Sequence, residues 1–180
     1  MTHAFTAIAF TDAVKALQTQ DGSRATYARH EAGPPDHAAF GPQEAAFIAA
    51  RDSFYLATSN ADGWPYIQHR GGPPGFLKLL DATTLGFADF RGNRQHITEG
   101  NLAGNDRVAL FLMDYPARAR LKILGHAAIA QDAEMLARLA VPGYRGRIER
   151  GVLIRLAGFD WNCSQHITPR FTVAELEAMR

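Results

Sequence analysis

The run HRGGPPGFLKLLDATTLGFADFRGNR, His69 to Arg94, decides the fold. Two apolar, β-favouring segments, Phe76–Leu80 and Thr84–Phe90, are joined by the short polar link Asp81–Thr83, which is the pattern of a hairpin. Ahead of them, Gly71 and Gly72 lack the side chains that would keep a ligand off the backbone, and Pro73 and Pro74 stiffen the connection. An ordinary Gly/Pro-rich link accounts for the same residues. Upstream, Ser53–Thr58 (SFYLAT) and Pro65–Arg70 flank Asn60–Gly63 and read as another hairpin. Downstream come a helix over Asn93–Leu102, strands over Arg107–Tyr115 and Leu121–Ala130, a helix over Gln131–Ala140 and a last strand over Val152–Phe159. At least six strands with short turns and few helices predict a mainly β chain with peripheral α, an antiparallel barrel closed or partly closed so that few edges stay exposed.

The remaining segments fit one domain over residues 1–180, a length that buries a single ample core. Residues 1–22 place Phe5, Ile8, Ala9, Ala13, Val14 and Leu17 near helical spacing, with Thr11 and Asp12 able to interrupt the turn. Asp21–Gly41 carries Gly22, Gly33, Pro34, Pro35 and Gly41, so residues 1–41 read as an N-terminal helix followed by an irregular wrapping arm. Pro42 and Glu44 open a short helix to about Arg51, since proline gives up no needed donor there and a carboxylate meets the positive helix end. The tail Thr172–Met179 adds a turn or two of helix.

Nineteen Lys and Arg stand against 18 Asp and Glu, so no overall field attracts nucleic acid, and any anion must be held by a few placed cations. The single cysteine, Cys163, forms no intrachain disulfide and suits a reducing cytoplasm. No basic-then-apolar leader and no run of about 18 apolar residues is present, which predicts a cytoplasmic protein with no membrane partner.

Three loops can carry chemistry. In RGNR, Arg91–Arg94, Asn93 can cap the following helix while free N–H groups and Arg94 converge on a phosphate; solvated arginines beside a capped helix are the plainer account. Arg70, which ends its strand, makes a second arginine-bearing loop. Asp160–Arg170 gathers Trp161, Asn162, Gln165, His166 and Arg170, groups suited to a flat ring with apolar faces and a polar edge, or else a tail packed on the barrel. Together the loops read as a flavin mononucleotide site. Arg118, Arg120 and Lys122 could share one strand face, more simply a solvated one. No metal site is expected: Cys163 and His166 make one C-x-x-H pair, and the other histidines are scattered, short of the paired clusters of a zinc site. Cys163 as a nucleophile has only His166 as a neighbouring base.

From Ser53 to Arg170 the order of elements, and most specifically PYIQHRGGPPGFLKLLD, FADFRGNR, NLAGNDRVALFLMDY and WNCSQHITPR, resembles the pyridoxamine 5′-phosphate oxidase-like, FMN-binding split-barrel superfamily, in its uncharacterised bacterial branch. The resemblance implies a Greek-key split barrel and a homodimer with FMN at the subunit interface. It places Arg70 and Lys78 in the phosphate- and ring-contacting region, matches Asn93 and Arg94 to the family's G-S-R-K step with Gln95 in place of its lysine, and matches Trp161 and Arg170 to a late tryptophan and arginine. Gln68, His69, Gly71, Asn162 and Gln165 join the candidate cofactor contacts by adjacency. The family's R-L-H-type substrate cluster is replaced by NCSQHITP, so a vitamin B6 phosphate would find no arginine there.

The expectation is therefore an FMN-dependent oxidoreductase acting on a small organic molecule, with NAD(P)H a candidate donor and His166 the candidate catalytic residue beside Trp161. A flavin carrier or sensor without turnover is the alternative. Haem, with His69, His96 or His166 as ligand, or a deazaflavin are alternative occupants of the same barrel.

Overall fold

The structure, a computed structural model, describes residues 3–32 and 37–180. Gly33, Pro34 and Pro35 of the expected arm lie outside the described residues. Seven strands form one sheet: β1 (Ser53–Ser59), β2 (Pro65–Gly71), β3 (Lys78–Asp81), β4 (Thr84–Phe90), β5 (Arg107–Asp114), β6 (Ala119–Ala130) and β7 (Ile148–Asn162). Their order is β2-β1-β5-β6-β7-β4-β3, every neighbouring pair antiparallel. The two outermost strands, β2 and β3, are consecutive in the chain, so the link from Gly72 to Leu77 joins the two edges of a split barrel.

That link shows why HRGGPPGF has its composition. Gly72 N–H donates to Asp52 O at 2.9 Å, and a Cβ on Gly72 would lie 2.8 Å from Phe76 Cβ and Cγ. Gly75 takes φ +82°, and the turn drops Phe76 and Leu77 into the core, where Phe76 stacks on Phe54 with centroids 5.6 Å apart. The core lies on one face of the sheet: Phe54 and Leu56 of β1, Val108, Leu110 and Leu112 of β5, Leu121 and Ile123 of β6, Val152 and Ile154 of β7, all at alternate positions. Strand β4 departs from alternation, with Leu85 to Ala88 all buried. Its outer side is covered by the helix Ala133–Leu139, whose Leu139 fills the space left by Gly86 and Gly151. Lys78 Nζ donates to Arg138 O at 2.8 Å and Ala140 O at 2.7 Å, satisfying carbonyls at the end of that helix.

Pro42 and Glu44 start a helix as their chemistry predicts (Pro42–Ala49), with Glu44 Oε2 accepting from Gly41 N at 2.9 Å. The N-terminal part differs from expectation. Thr11 interrupts it into helices Ala4–Ala9 and Asp12–Gln20, and a further helix, Arg24–Glu31, occupies part of the stretch expected to be irregular. Gly22 at φ +78° turns the chain between them, and Glu31 accepts from both Lys15 and Arg24, so charge pairing rather than an apolar face holds this hairpin. The helix expected from Asn93 begins instead at Ile97 and runs to Gly104, and the last strand begins at Ile148 rather than Val152. The tail helix spans Val173–Ala178.

Strand β7 pairs with both β6 and β4, and close backbone contacts let it bend. At Gly158 a Cβ would lie 2.6 Å from Phe5 N and 2.8 Å from Ala4 C, backbone atoms that cannot step aside. Gly158→Ala should therefore dislodge the first helix and lower stability by about 1–3 kcal/mol. Urea unfolding measures this; an unchanged midpoint would contradict the described contact.

Candidate functional site

Where β2 and β4 face the start of β7, three strands and one loop enclose a small cleft. Tyr66, Gln68 and Arg70 come from alternate positions of β2, Asp89 and Phe90 from the end of β4, Glu149 and Arg150 from β7, and Gly92–Glu99 from the loop and helix that follow β4. The helix Ile97–Gly104 is fixed on the barrel by Asn101 Nδ2, which donates to Thr58 Oγ1 at 2.9 Å with both residues buried.

The floor is a continuous charge network. Arg70 donates from Nη1 to Asp89 Oδ1 at 2.7 Å and from Nη2 to Thr98 Oγ1 at 3.1 Å, while its buried Nε has no partner. Asp89 also faces Arg150 Nε at 3.7 Å, because the two residues are opposite each other in the β4–β7 register. Arg150 in turn meets Glu99, and Glu149 at 3.4 Å; Glu149 meets Arg94 at 3.5 Å and Arg91 at 3.8 Å. Four guanidinium groups thus share three carboxylates. Arg94 is the most exposed of them, with 58% of its side chain open to solvent. Arg94 and His96 have φ of +59° and +55°, and no side chain caps the helix that starts after His96. Left-handed residues in such a loop can gather successive N–H groups into an anion-holding hollow, and an uncapped helix start adds its dipole.

Of the residues expected at the site, Gln68, Arg70, Asn93, Arg94 and Gln95 line this cleft. Asn93 does not cap the helix: its Oδ1 accepts from Gln95 N at 3.2 Å, inside the loop. The others lie elsewhere on the chain. His69 points to the opposite face of β2, edge-on to Tyr55 at 5.8 Å, and Gly71 packs between His69 and Asp52. Lys78 serves the helix Ala133–Leu139. Trp161 donates from Nε1 to Glu44 Oε1 at 2.8 Å and packs edge-on against Phe47, which anchors the end of β7. Cys163, Gln165 and His166 are exposed, and Arg170 stacks over the Tyr115 ring at 4.9 Å. Arg118 falls in the turn before β6 at φ +51°, so the expected Arg118–Arg120–Lys122 stripe reduces to Arg120 and Lys122.

Among the described residues, two further buried polar atoms lack partners, Arg120 Nε and Asn162 Oδ1, on residues facing each other across β6 and β7. Beside them, the outer face of the sheet carries an apolar hollow of about 530 Å³ lined by Tyr55, Ile67, Phe111 and Leu124, with Ile67 65% exposed.

Asp89, Thr98, Glu99, Glu149 and Arg150 were not singled out from the sequence. Opposed charges in ADFR and RIER carry the signal, but it becomes legible only once Asp89 and Arg150 are placed in register.

The Glu99 carboxyl is held below the ordinary glutamate value of 4.5, chiefly by its hydrogen bond with His96 at 2.7 Å and next by the Arg150 charge. A depressed folded value stabilises the protein above the unfolded pKa and is lost as pH falls through the folded one. Wild type should therefore exceed Glu99→Gln in stability by a constant, modest margin above the ordinary value of 4.5, and lose that margin as pH falls through the depressed folded value. Urea titrations across that range test it; a margin independent of pH would contradict the described pairing.

Comparison with known proteins agrees with this architecture. No curated protein matches the sequence. Among solved structures, HupZ of Group A Streptococcus is similar over 73% of this chain and 100% of its own, with a TM-score of 0.56 at 18% identity. A pyridoxamine 5′-phosphate oxidase homologue from Lactobacillus delbrueckii aligns over 69% of this chain and 96% of its own, at 0.55 and 18%. Protein Rv2991 of Mycobacterium tuberculosis aligns over 74% and 92%, at 0.53 and 18%. At these identities the likeness concerns the fold. The family model of pyridoxamine 5′-phosphate oxidase matches residues 40–167, from the helix before β1 to the loop after β7, and the chain belongs to that family.

Proposed function

We propose that the protein is an FMN-dependent oxidoreductase that works as a homodimer, each cofactor site combining the cleft of one protomer with the β7 end and tail of its partner. The observation that carries this is the placement of the two halves on one strand. Glu149 and Arg150 open β7, whereas Trp161 and Asn162 close it, with ~40 Å of strand contour between them. A strand held in one sheet does not fold its ends together, so the halves meet only between two copies.

The residues fit a flat, phosphorylated cofactor. The cleft alone offers about 80 Å³, whereas pockets for ligands of that class usually span roughly 300–1,000 Å³, so a single protomer leaves the ring uncovered. Arg94 and the N–H groups of the loop and helix start suit a phosphate dianion. Arg70, already oriented by Asp89 and Thr98, retains Nε as a donor, and the amides of Gln68, Asn93 and Gln95 suit a polar ring edge. Arg120 Nε and Asn162 Oδ1 are a donor and an acceptor awaiting partners at the other half. The exposed apolar sheet face supports the dimer, since a solvent-facing patch of this kind marks an interaction surface. When bound, FMN would supply the two-electron chemistry, and these side chains would orient it and exclude water. His166 on the exposed tail is the candidate to touch the small-molecule substrate.

Absorbance and mass of the co-purifying ligand test the cofactor. Arg94→Ala should weaken FMN binding by about tenfold or more, the scale of a charge-assisted contact. A Soret band, or colourless protein that takes up no FMN, would overturn the reading. Anaerobic NADH or NADPH should bleach the flavin band; flavin that stays oxidised with every donor tried would make the protein a carrier. Ile67→Glu places a charge on the apolar face and should yield a folded monomer that has lost FMN. A monomer that still binds FMN as wild type does would contradict the shared site.

A further inference from the structure

His3, His37 and Asp160 are separated by 34 and 123 positions in sequence, yet one ligand atom from each lies within 4.8 Å of the others. We propose that these three residues form a binding site for a divalent transition-metal ion of the zinc class, pinning the N-terminal arm to the end of β7. The donor set, two imidazoles and a carboxylate, is one that zinc accepts, with solvent completing a fourth position. Around a tetrahedral ion with bonds of roughly 2.0–2.1 Å, ligand atoms stand about 3.3 Å apart, so side-chain rotation of an ångström or so closes the site.

The surroundings hold the ligands in place. The backbone carbonyl of Phe159 lies 3.1 Å from His37 Nδ1, the kind of outer contact that fixes ring orientation and raises basicity in metal-binding histidines. His37 is the second ring of a column in which His3 stacks on it at 4.1 Å, Phe159 lies below it at 4.6 Å, and Phe40 continues from Phe159 at 5.4 Å. The backbone at His37 takes φ +66°, a conformation that sets its ring on the β7 end. All three candidate ligands are half-buried.

One neighbour opposes a cation. Lys122 Nζ sits 2.9 Å from Asp160 Oδ2 and 4.6 Å from the centre of the Phe5 ring. A metal ion must compete with this ammonium for the carboxylate, so affinity depends on Lys122 in a direction that chance surface binding would not share.

Calorimetric titration of the full chain, free of any histidine tag, with Zn²⁺ tests the site. Saturable binding of one ion per chain is expected, weakened by about tenfold or more in Asp160→Asn and in His37→Ala, and tightened in Lys122→Met. His30→Ala, at an exposed histidine outside the cluster, should bind as wild type does. No saturable binding, an unaltered affinity in Asp160→Asn, or no tightening in Lys122→Met would overturn the proposal. Circular dichroism of each variant confirms the fold, and Lys122→Met keeps all three ligands, so its result stands even where a ligand substitution unfolds the chain.

Discussion

Strand β7 is the member on which the molecule depends. It carries β4 on one side over Ile148 to Arg155 and β6 on the other over Gly151 to Asn162, so its middle residues are bonded on both edges. Without it the β3–β4 hairpin has no neighbour, and the edge link through Gly72–Leu77 would have nothing to close. The glycines along its path, Gly151 and Gly158, with Gly125 opposite, are where other atoms come too close for a side chain. Bending and covering are thus written into the backbone of a single segment.

The same strand distributes charge. Its first residues enter the cleft, and the Asp89–Arg150 pair opposite each other in register couples Arg70 on one side to Glu99, Glu149 and Arg94 on the other. Half-buried ion pairs of this kind add little net stability, because desolvation offsets much of the attraction, but they fix orientation. Arg70 is held by two partners with Nε left over, whereas Arg94 stands at the rim with one distant carboxylate. The inner cation is thus fixed by its partners, whereas the outer one is exposed and open to an anion.

Much of the fold was legible because its strands obey period two. SFYLAT and PYIQHR flank a turn that needs Gly63 at φ +84°, and the long apolar runs of β5 and β6 bury every second residue over most of their length. The start of β7 was not, since IERG is too polar to read as a strand until β4 supplies opposing charges. The helix Arg24–Glu31 has no apolar face to betray it, and its flanking Gly and Pro residues point to a loop. In the site, Arg70 and the RGNR loop were singled out from the sequence, and the fold brings both to one cleft. The helix start was displaced because Arg94 and His96 adopt left-handed backbone that composition does not announce. Convergence of His3, His37 and Asp160 is a tertiary fact with no local signature.

Hybrid dimers test whether two copies share each cofactor site. One chain would carry Arg70→Ala and Arg94→Ala, damaging the cleft; the other would carry Asn162→Ala and Gln165→Ala, damaging the tail. Each variant alone should bind little FMN, while a purified hybrid of the two should regain about one FMN per pair, because one of its two sites unites the undamaged halves. A hybrid that binds no more FMN than its parents, measured by absorbance per chain, would contradict the account.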